Sequence, residues 1–201
     1  MTRSAEQPAL TYEEYLAFEA DSDTKHEWLR GEVFAMAGGT PEHAGLAASV
    51  VGELRASLRD RPCRVFSSDL RIKIAATGLS TYPDASVICS KLETSPDDPQ
   101  AVLNPIVLIE VLSDSTEGYD RGEDCPSRPL RVEKFAHYRQ IPSLREYVLV
   151  SQHERRIEVQ RLNEAGHWEL HEASAGESVE LASIGCRLSV DEVYRDPLAL
   201  G

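Results

Sequence analysis

Glu110 stands inside Ile106-Val107-Leu108-Ile109-Glu110-Val111-Leu112, an otherwise unbroken apolar run. A carboxylate without a partner in such surroundings loses much of its solvation energy or takes up a proton. Either the strand ends at Ile109 and Glu110 meets water, or the carboxylate is aimed into a site and stabilised there by a cation or a lysine. Apolar flanks on both sides favour the second reading. Asp84 is the natural partner: it follows Pro83 and opens Ala85-Ser86-Val87-Ile88, where a loop enters a strand. A Pro-Asp pair alone marks turns in proteins at large, and it gains meaning from the isolated carboxylate on the apolar strand downstream. Two carboxylates on adjacent strands, with a main-chain carbonyl and water, give a hard cation an octahedral oxygen shell.

Other chemistries find less support. Ser113 and Ser115 lack the G-x-S-x-G of a hydrolase elbow. Gly38-Gly39-Thr40 lacks the lysine of a phosphate-binding loop, and His26, His43 and His137 show no H-x-x-x-H spacing. His43, just inside a helix start, reads as a solvated or capping side chain. Cys63, Cys89, Cys125 and Cys186 form no C-x-x-C pair, so a cysteine zinc site and a disulfide framework are both disfavoured, and four reduced, mostly buried thiols are expected. No zinc-finger or RNA-recognition signature is present.

The elements that must position these residues are legible in part. Thr11 and Glu14 make a capping box for a helix running to Ala20, which Asp21-Ser22-Asp23 breaks. Extended runs on either side of Arg30-Gly31 read as a hairpin. Thr40 and Pro41 start a helix over 42–60, with Ala44, Ala47, Val51, Leu54 and Leu58 on one face. Strands are expected over 64–66, 70–75 and 85–89, a polar surface loop over 91–100, and a central strand, buried on both faces, over 105–112. A second loop spans 114–129. A helix over 133–140 stops before Pro142, and strands over 146–150, 156–161 and 167–171 follow, with a turn over 163–166 and a short helix near Ser189.

The chain has 201 residues, room for one sizeable domain: a flexible start over 1–10 and a single domain over 11–201. With 41% hydrophobic and 27% charged residues it is neither disordered nor fibrous. The net charge of −13 argues against a polybasic DNA coater, but a nuclease site must itself be acidic to hold metal. The most cationic stretch, 121–145, carries Arg121, Arg128, Arg131, Lys134, Arg139 and Arg145 and adjoins the proposed site, reading either as a face for a nucleic-acid backbone or as an ordinary charged helix and loop. No apolar leader or membrane-length run occurs, so a cytoplasmic protein without membrane contact is expected.

This constellation resembles the PD-(D/E)XK nucleases and, more closely, the Uma2 family of bacterial restriction-endonuclease-like proteins. The resemblance is carried in order by Thr11-Tyr12-Glu13-Glu14-Tyr15-Leu16, Glu27 ahead of Leu29-Arg30-Gly31-Glu32, Pro41-Glu42-His43, Tyr82-Pro83-Asp84, Ile109-Glu110-Val111-Leu112-Ser113 with Ser115-Thr116, Lys134 with Tyr138, and Glu146-Tyr147-Val148-Leu149-Val150. It implies an α/β restriction-endonuclease-like core, a mixed central sheet flanked by helices with additional hairpins. It also implies Mg²⁺ or Mn²⁺ at Asp84 and Glu110, with Glu27 as a further acidic member, although Glu27 reads equally as a charged surface residue beside Lys25, Arg30 and Glu32. The usual (D/E)-x-K lysine would fall at position 112, where this chain has Leu112, and Lys134 on the following helix matches its substitute. Lys134 and Tyr138 share one side of that helix, and the residues 124–133 look like an insertion ahead of it. The activity implied is metal-dependent hydrolysis of DNA phosphodiester bonds; a homodimer is expected separately, because cutting two strands suits a twofold arrangement. The alternative is a non-catalytic binding or assembly module that kept the nuclease scaffold, and a weaker third reading is a hydrolase of a small phosphorylated substrate.

Overall fold

Local signals set the first elements of the computed structural model, which describes residues 9–36, 38–113, 120 and 134–196. Thr11 caps helix α1 (Tyr12–Ala20): its hydroxyl accepts from the Glu14 amide, and the Glu14 carboxylate accepts from the Thr11 amide. Strands β1 (His26–Leu29) and β2 (Glu32–Ala35) form a hairpin whose turn residues, Arg30 and Gly31, both take positive φ, 50° and 97°. A type I′ turn requires that pair of left-handed conformations. Helix α2 (Pro41–Ser57) starts behind the Thr40 cap.

There follow β3 (Arg64–Ser67), β4 (Arg71–Lys73), β5 (Ser80–Thr81), β6 (Ala85–Ile88), β7 (Thr94–Ser95), β8 (Asp98–Val102) and β9 (Val107–Val111). Helix α3 (Lys134–Tyr138), β10 (Glu146–Val150), β11 (Arg156–Leu162), β12 (Trp168–Ser174), β13 (Ser178–Leu181), β14 (Cys186–Ser189) and helix α4 (Val190–Val193) complete the described elements. One sheet runs β2-β1-β5-β4-β8-β7, a second runs β12-β11-β10-β9-β6-β3, and β13-β14 stands as a pair. The second sheet is mixed, with β9 parallel to β10 and antiparallel to β6. Among the described residues no helix is long and apolar enough to cross a membrane.

Strand β9 is the hinge of the architecture because both of its faces are buried. Val107, Ile109 and Val111 join a core with Val50, Leu54 and Leu58 from α2 and its C-terminal end. Leu108 and Leu112 join a separate core with Ile72 and Ile74 of the first sheet region, Tyr138 of α3, and Tyr147. Side chains alternate along a strand, so Glu110 shares the face of Leu108 and Leu112, towards α3 and the first sheet.

The structure corrects several expectations. The polar stretch over 91–100 is no simple loop: it holds β7 and the start of β8, which lies parallel to β4. Its acidity concealed Asp98, only 3% exposed, whose partner Arg71 is remote in sequence. On α2 the buried face centres on Val50, Leu54 and Leu58, while Ala44 is exposed. The β13-β14 hairpin, with one polar and one apolar face, was not foreseen. Cys63 and Cys89 are joined as a disulfide rather than held as thiols: β3 and β6 pair antiparallel with Arg64 opposite Ile88, and the next step along that register sets the two cysteines face to face. Cys186 is a buried free thiol, its pKa pushed by burial to about 11, and Cys125 lies outside the described residues.

A buried polar network fixes the first sheet. Arg71 meets Asp98 at 2.5 Å and donates through Nε to the Tyr82 hydroxyl at 2.8 Å. Tyr12 donates to Asp98 at 2.8 Å, and Tyr82 donates to Glu19 at 2.9 Å. Glu19 in turn accepts from the His26 amide at 3.0 Å. Burial pushes the Tyr12 and Tyr82 phenols above their ordinary range, which keeps both protonated as donors. The network thus ties α1, β1, β4 and β8 to the residues just ahead of Pro83-Asp84.

The packing of α2 can be tested by contrast. Leu54→Ala should cost about 2–5 kcal/mol of stability in chemical denaturation, as a cavity in a closed core does. Ala44→Ser should change it by less than about 0.5 kcal/mol, as exposed substitutions do.

Candidate active site

Glu27 and Glu110 come from different sheets and meet at one cation. Lys134, the first residue of α3, places its ammonium 2.9 Å from Glu110 Oε1, 3.2 Å from Glu27 Oε1 and 3.4 Å from Asp120 Oδ1. All four are buried, with Glu110 4% and Lys134 5% exposed. Tyr138, one helical turn after Lys134, donates to Glu110 Oε1 at 2.7 Å. Thr81 donates to Glu27 Oε1 at 2.5 Å, as the β1–β5 register dictates, since Trp28 pairs with Ser80 and the next step sets Glu27 beside Thr81.

Asp84 reaches the same place from Thr81-Tyr82-Pro83, the short crossing from the first sheet to the second. Ala85 pairs with Ile109, and the next step along that register sets Asp84 opposite Glu110 on one face. Asp84 Oδ2 accepts from the Val111 amide at 2.7 Å, and His43 Nε2 lies 3.3 Å from the same oxygen.

The electrostatics follow from burial. Desolvation pushes the Glu110 carboxyl well above the ordinary glutamate range; Lys134 opposes this, while the charges of Asp120 and Asp84 add to it. Burial also acts against the Lys134 ammonium, but the Glu110 and Glu27 carboxylates more than offset it and hold its pKa well above the usual lysine value. The hydrogen bond to Asp84 raises the His43 pKa, against the effect of burial. Glu27, Glu110 and Asp120 therefore share one ammonium, and Asp84 adds a further negative charge beside them.

This donor set suits a hard divalent cation. Among the described residues, the hydrogen bond and ion pair of Glu110 fall on Oε1 and the partners of Asp84 on Oδ2, so one oxygen of each carboxylate is left for a further ligand. No cluster of three or more histidine, cysteine or carboxylate groups spaced to enclose a metal occurs among the described residues. A cation here would be held by two carboxylates and complete its shell from main-chain carbonyl, water and phosphate, the habit of Mg²⁺.

The structure brings Glu27, Glu110 and Lys134 into contact and sets Asp84 alongside. Glu27 is no surface residue, being 3% exposed. Three partners are not assigned to the site by the sequence. His43 reads there as a solvated or capping side chain; Asp120 has no apolar flank to mark it; Thr81 carries no signal beyond its place three residues before Asp84. The residues 124–133, with Arg121, Arg128, Arg131, Ser115 and Thr116, lie outside the described residues. Lys134 itself is interior, so it does not contribute to a cationic surface.

Because Lys134 is enclosed, its removal should affect folding as well as chemistry. Lys134→Met should cost about 3–5 kcal/mol at neutral pH, the usual penalty for leaving buried charge without its partner. Carboxyls whose folded pKa is raised keep protons that the unfolded chain releases, so stability from them is present at low pH and lost as pH rises. The deficit should therefore open above about pH 4.3, the unfolded glutamate value, and grow towards pH 8 in urea denaturation of mutant against wild type.

Comparison with known proteins places the chain in a family and a fold. The model of the Uma2 family, described as "Putative restriction endonuclease", matches residues 12–191. The Uncharacterized protein slr1290 of Synechocystis sp. is 35% identical over 192 residues, 96% of this chain and 95% of that relative. A second Synechocystis protein, sll1609, is 34% identical over 86% of this chain and 91% of its own. The crystal structure of a "putative nuclease belonging to DUF820" from Anabaena variabilis superposes with a TM-score of 0.69, at 18% identity, over 92% of this chain and 97% of that one. That likeness identifies the fold as restriction-endonuclease-like. By sequence along most of its length, the chain belongs to the Uma2 family.

Proposed function

We propose that the protein is a divalent-metal-dependent endonuclease hydrolysing DNA phosphodiester bonds, with Asp84 and Glu110 as metal ligands and Lys134 and Glu27 as catalytic residues. The observation that carries this reading is the gathering of buried carboxyl groups: among the described residues Glu27, Glu110 and Asp120 all lie within ion-pairing distance of the Lys134 ammonium, with Asp84 beside Glu110. One structural ion pair needs a single acid, whereas a cation-binding phosphodiesterase needs several carboxylates close together.

A divalent cation, when bound by Asp84 and Glu110, would supply Lewis acidity towards phosphate and lower the pKa of a nucleophilic water. The residues of the chain do the rest. Lys134 stays protonated between Glu110 and Glu27, a fixed positive charge available to a phosphoryl group gaining negative charge. Tyr138 and Lys134 hold Glu110 Oε1, and Thr81 holds Glu27, so neither carboxylate must reorganise during the reaction. Glu27, held by Lys134 and Thr81, helps set the shell of metal or water. A cytoplasmic location and a twofold dimer, which would suit the symmetry of duplex DNA, belong to the same proposal.

One observation favours the non-catalytic module instead: the Lys134 ammonium is enclosed by carboxylates, as a purely structural charge would be. Supercoiled plasmid incubated with the purified protein and Mg²⁺ or Mn²⁺ separates the two readings. The nuclease should give nicked and linear products, and Asp84→Asn and Glu110→Gln should each slow cleavage on the order of a hundredfold or more. Plasmid left supercoiled at millimolar metal would overturn the nuclease reading.

Metal binding has its own readout. Mg²⁺ or Mn²⁺ should raise the melting temperature of the wild-type protein, because a ligand that binds only the folded state stabilises it. The rise should vanish in Asp84→Asn, as measured by differential scanning fluorimetry across a metal titration.

A further inference from the structure

His43 meets Asp84 through a built arrangement, not a chance approach. The Thr40 hydroxyl caps α2 by accepting from the His43 amide at 3.2 Å, and it also accepts from Gln152 Nε2 at 3.0 Å, just beyond β10. The start of α2 is thereby tied to the C-terminal end of the central sheet. The imidazole is largely buried, its side chain 18% exposed, with Nε2 3.3 Å from Asp84 Oδ2. Gly39 makes room for it: a Cβ at that position would stand 2.7 Å from His43 Nδ1 and 3.1 Å from Cγ. On the opposite side the Val111 amide donates to the same Asp84 oxygen at 2.7 Å.

We propose that His43 is a positioning residue for Asp84, holding Oδ2 from the α2 side while the Val111 amide holds it from β9, so that Oδ1 is presented to the metal. The inference rests on the reading of Asp84 as a metal ligand. A carboxylate oxygen that accepts a main-chain hydrogen bond on one side and meets an imidazole at 3.3 Å on the other is restrained from turning about its Cβ–Cγ bond, and outer-shell contacts of this kind orient metal-binding carboxylates. Nothing in the role requires the imidazole to touch substrate.

The test is calorimetric titration of Mn²⁺ and of Mg²⁺ into the metal-free full-length protein, with circular dichroism confirming that each variant is folded. His43→Ala should weaken both metals about ten- to a hundredfold, the range for loss of an outer-shell partner. His43→Gln, whose amide nitrogen can stand where Nε2 stands and still donate, should restore most of the affinity. Gly39→Ala, which keeps the imidazole but crowds it, should weaken binding in the same direction. Equal affinity in wild type and His43→Ala would overturn the positioning role while leaving the metal site intact, whereas no metal binding by the wild type would overturn both readings. If His43→Gln fails as His43→Ala does and Mn²⁺ suffers far more than Mg²⁺, the histidine is a direct nitrogen ligand, and the positioning role is likewise overturned.

Discussion

A carboxylate in the middle of a strand buried on both faces is unstable in any fold unless a counter-charge comes to meet it, and for Glu110 that counter-charge is Lys134. Much of the architecture serves this meeting. Glu110 comes from the centre of the mixed sheet, Glu27 from the first sheet, and Asp120 from the connection between β9 and α3, and all three close on the ammonium of Lys134 in α3. Tertiary packing seats that helix. Its place is fixed by Tyr138 in the core and by Phe135 stacked on Tyr147 at 5.3 Å.

The polar network around Arg71 has a complementary task. Both segments that deliver acids from the first sheet emerge from it. His26, pinned to Glu19, is followed by Glu27; Tyr82, pinned to Arg71 and Glu19, lies two residues before Asp84. Fully satisfied buried networks confer rigidity, and here the rigid part sits immediately upstream of the parts that must not move.

Glu110, Asp84, the capping box of α1, the Arg30-Gly31 turn and the central apolar strand were all legible because each is a local signal: a residue out of keeping with its neighbours, or a pattern a few residues long. What stayed hidden was pairing at a distance. The Asp98–Arg71 bond spans 27 residues and the Thr81–Glu27 bond 54, and nothing at either end announces the other. The disulfide was hidden in the same way, since only the β3–β6 register brings its halves together. His43 was misread for a related reason: its cap-like position is genuine, but its side chain answers to a strand it reaches only in the fold. Lys134 and Glu27 came from resemblance to a family, and no property of their immediate surroundings would have singled them out.

The Cys63–Cys89 bond has a topological consequence. It closes the chain between the two cysteines, a separation of 26 residues, into a covalent ring. That ring contains Arg71, Thr81, Tyr82 and Asp84, and with them the crossing from β5 in the first sheet to β6 in the second. In the chain-entropy picture such a closure removes roughly 3–4 kcal/mol of disorder from the unfolded ensemble. While the bond lasts, these residues remain on one loop even when every strand has separated, so a refolding chain searches for the crossing among far fewer arrangements than an open one.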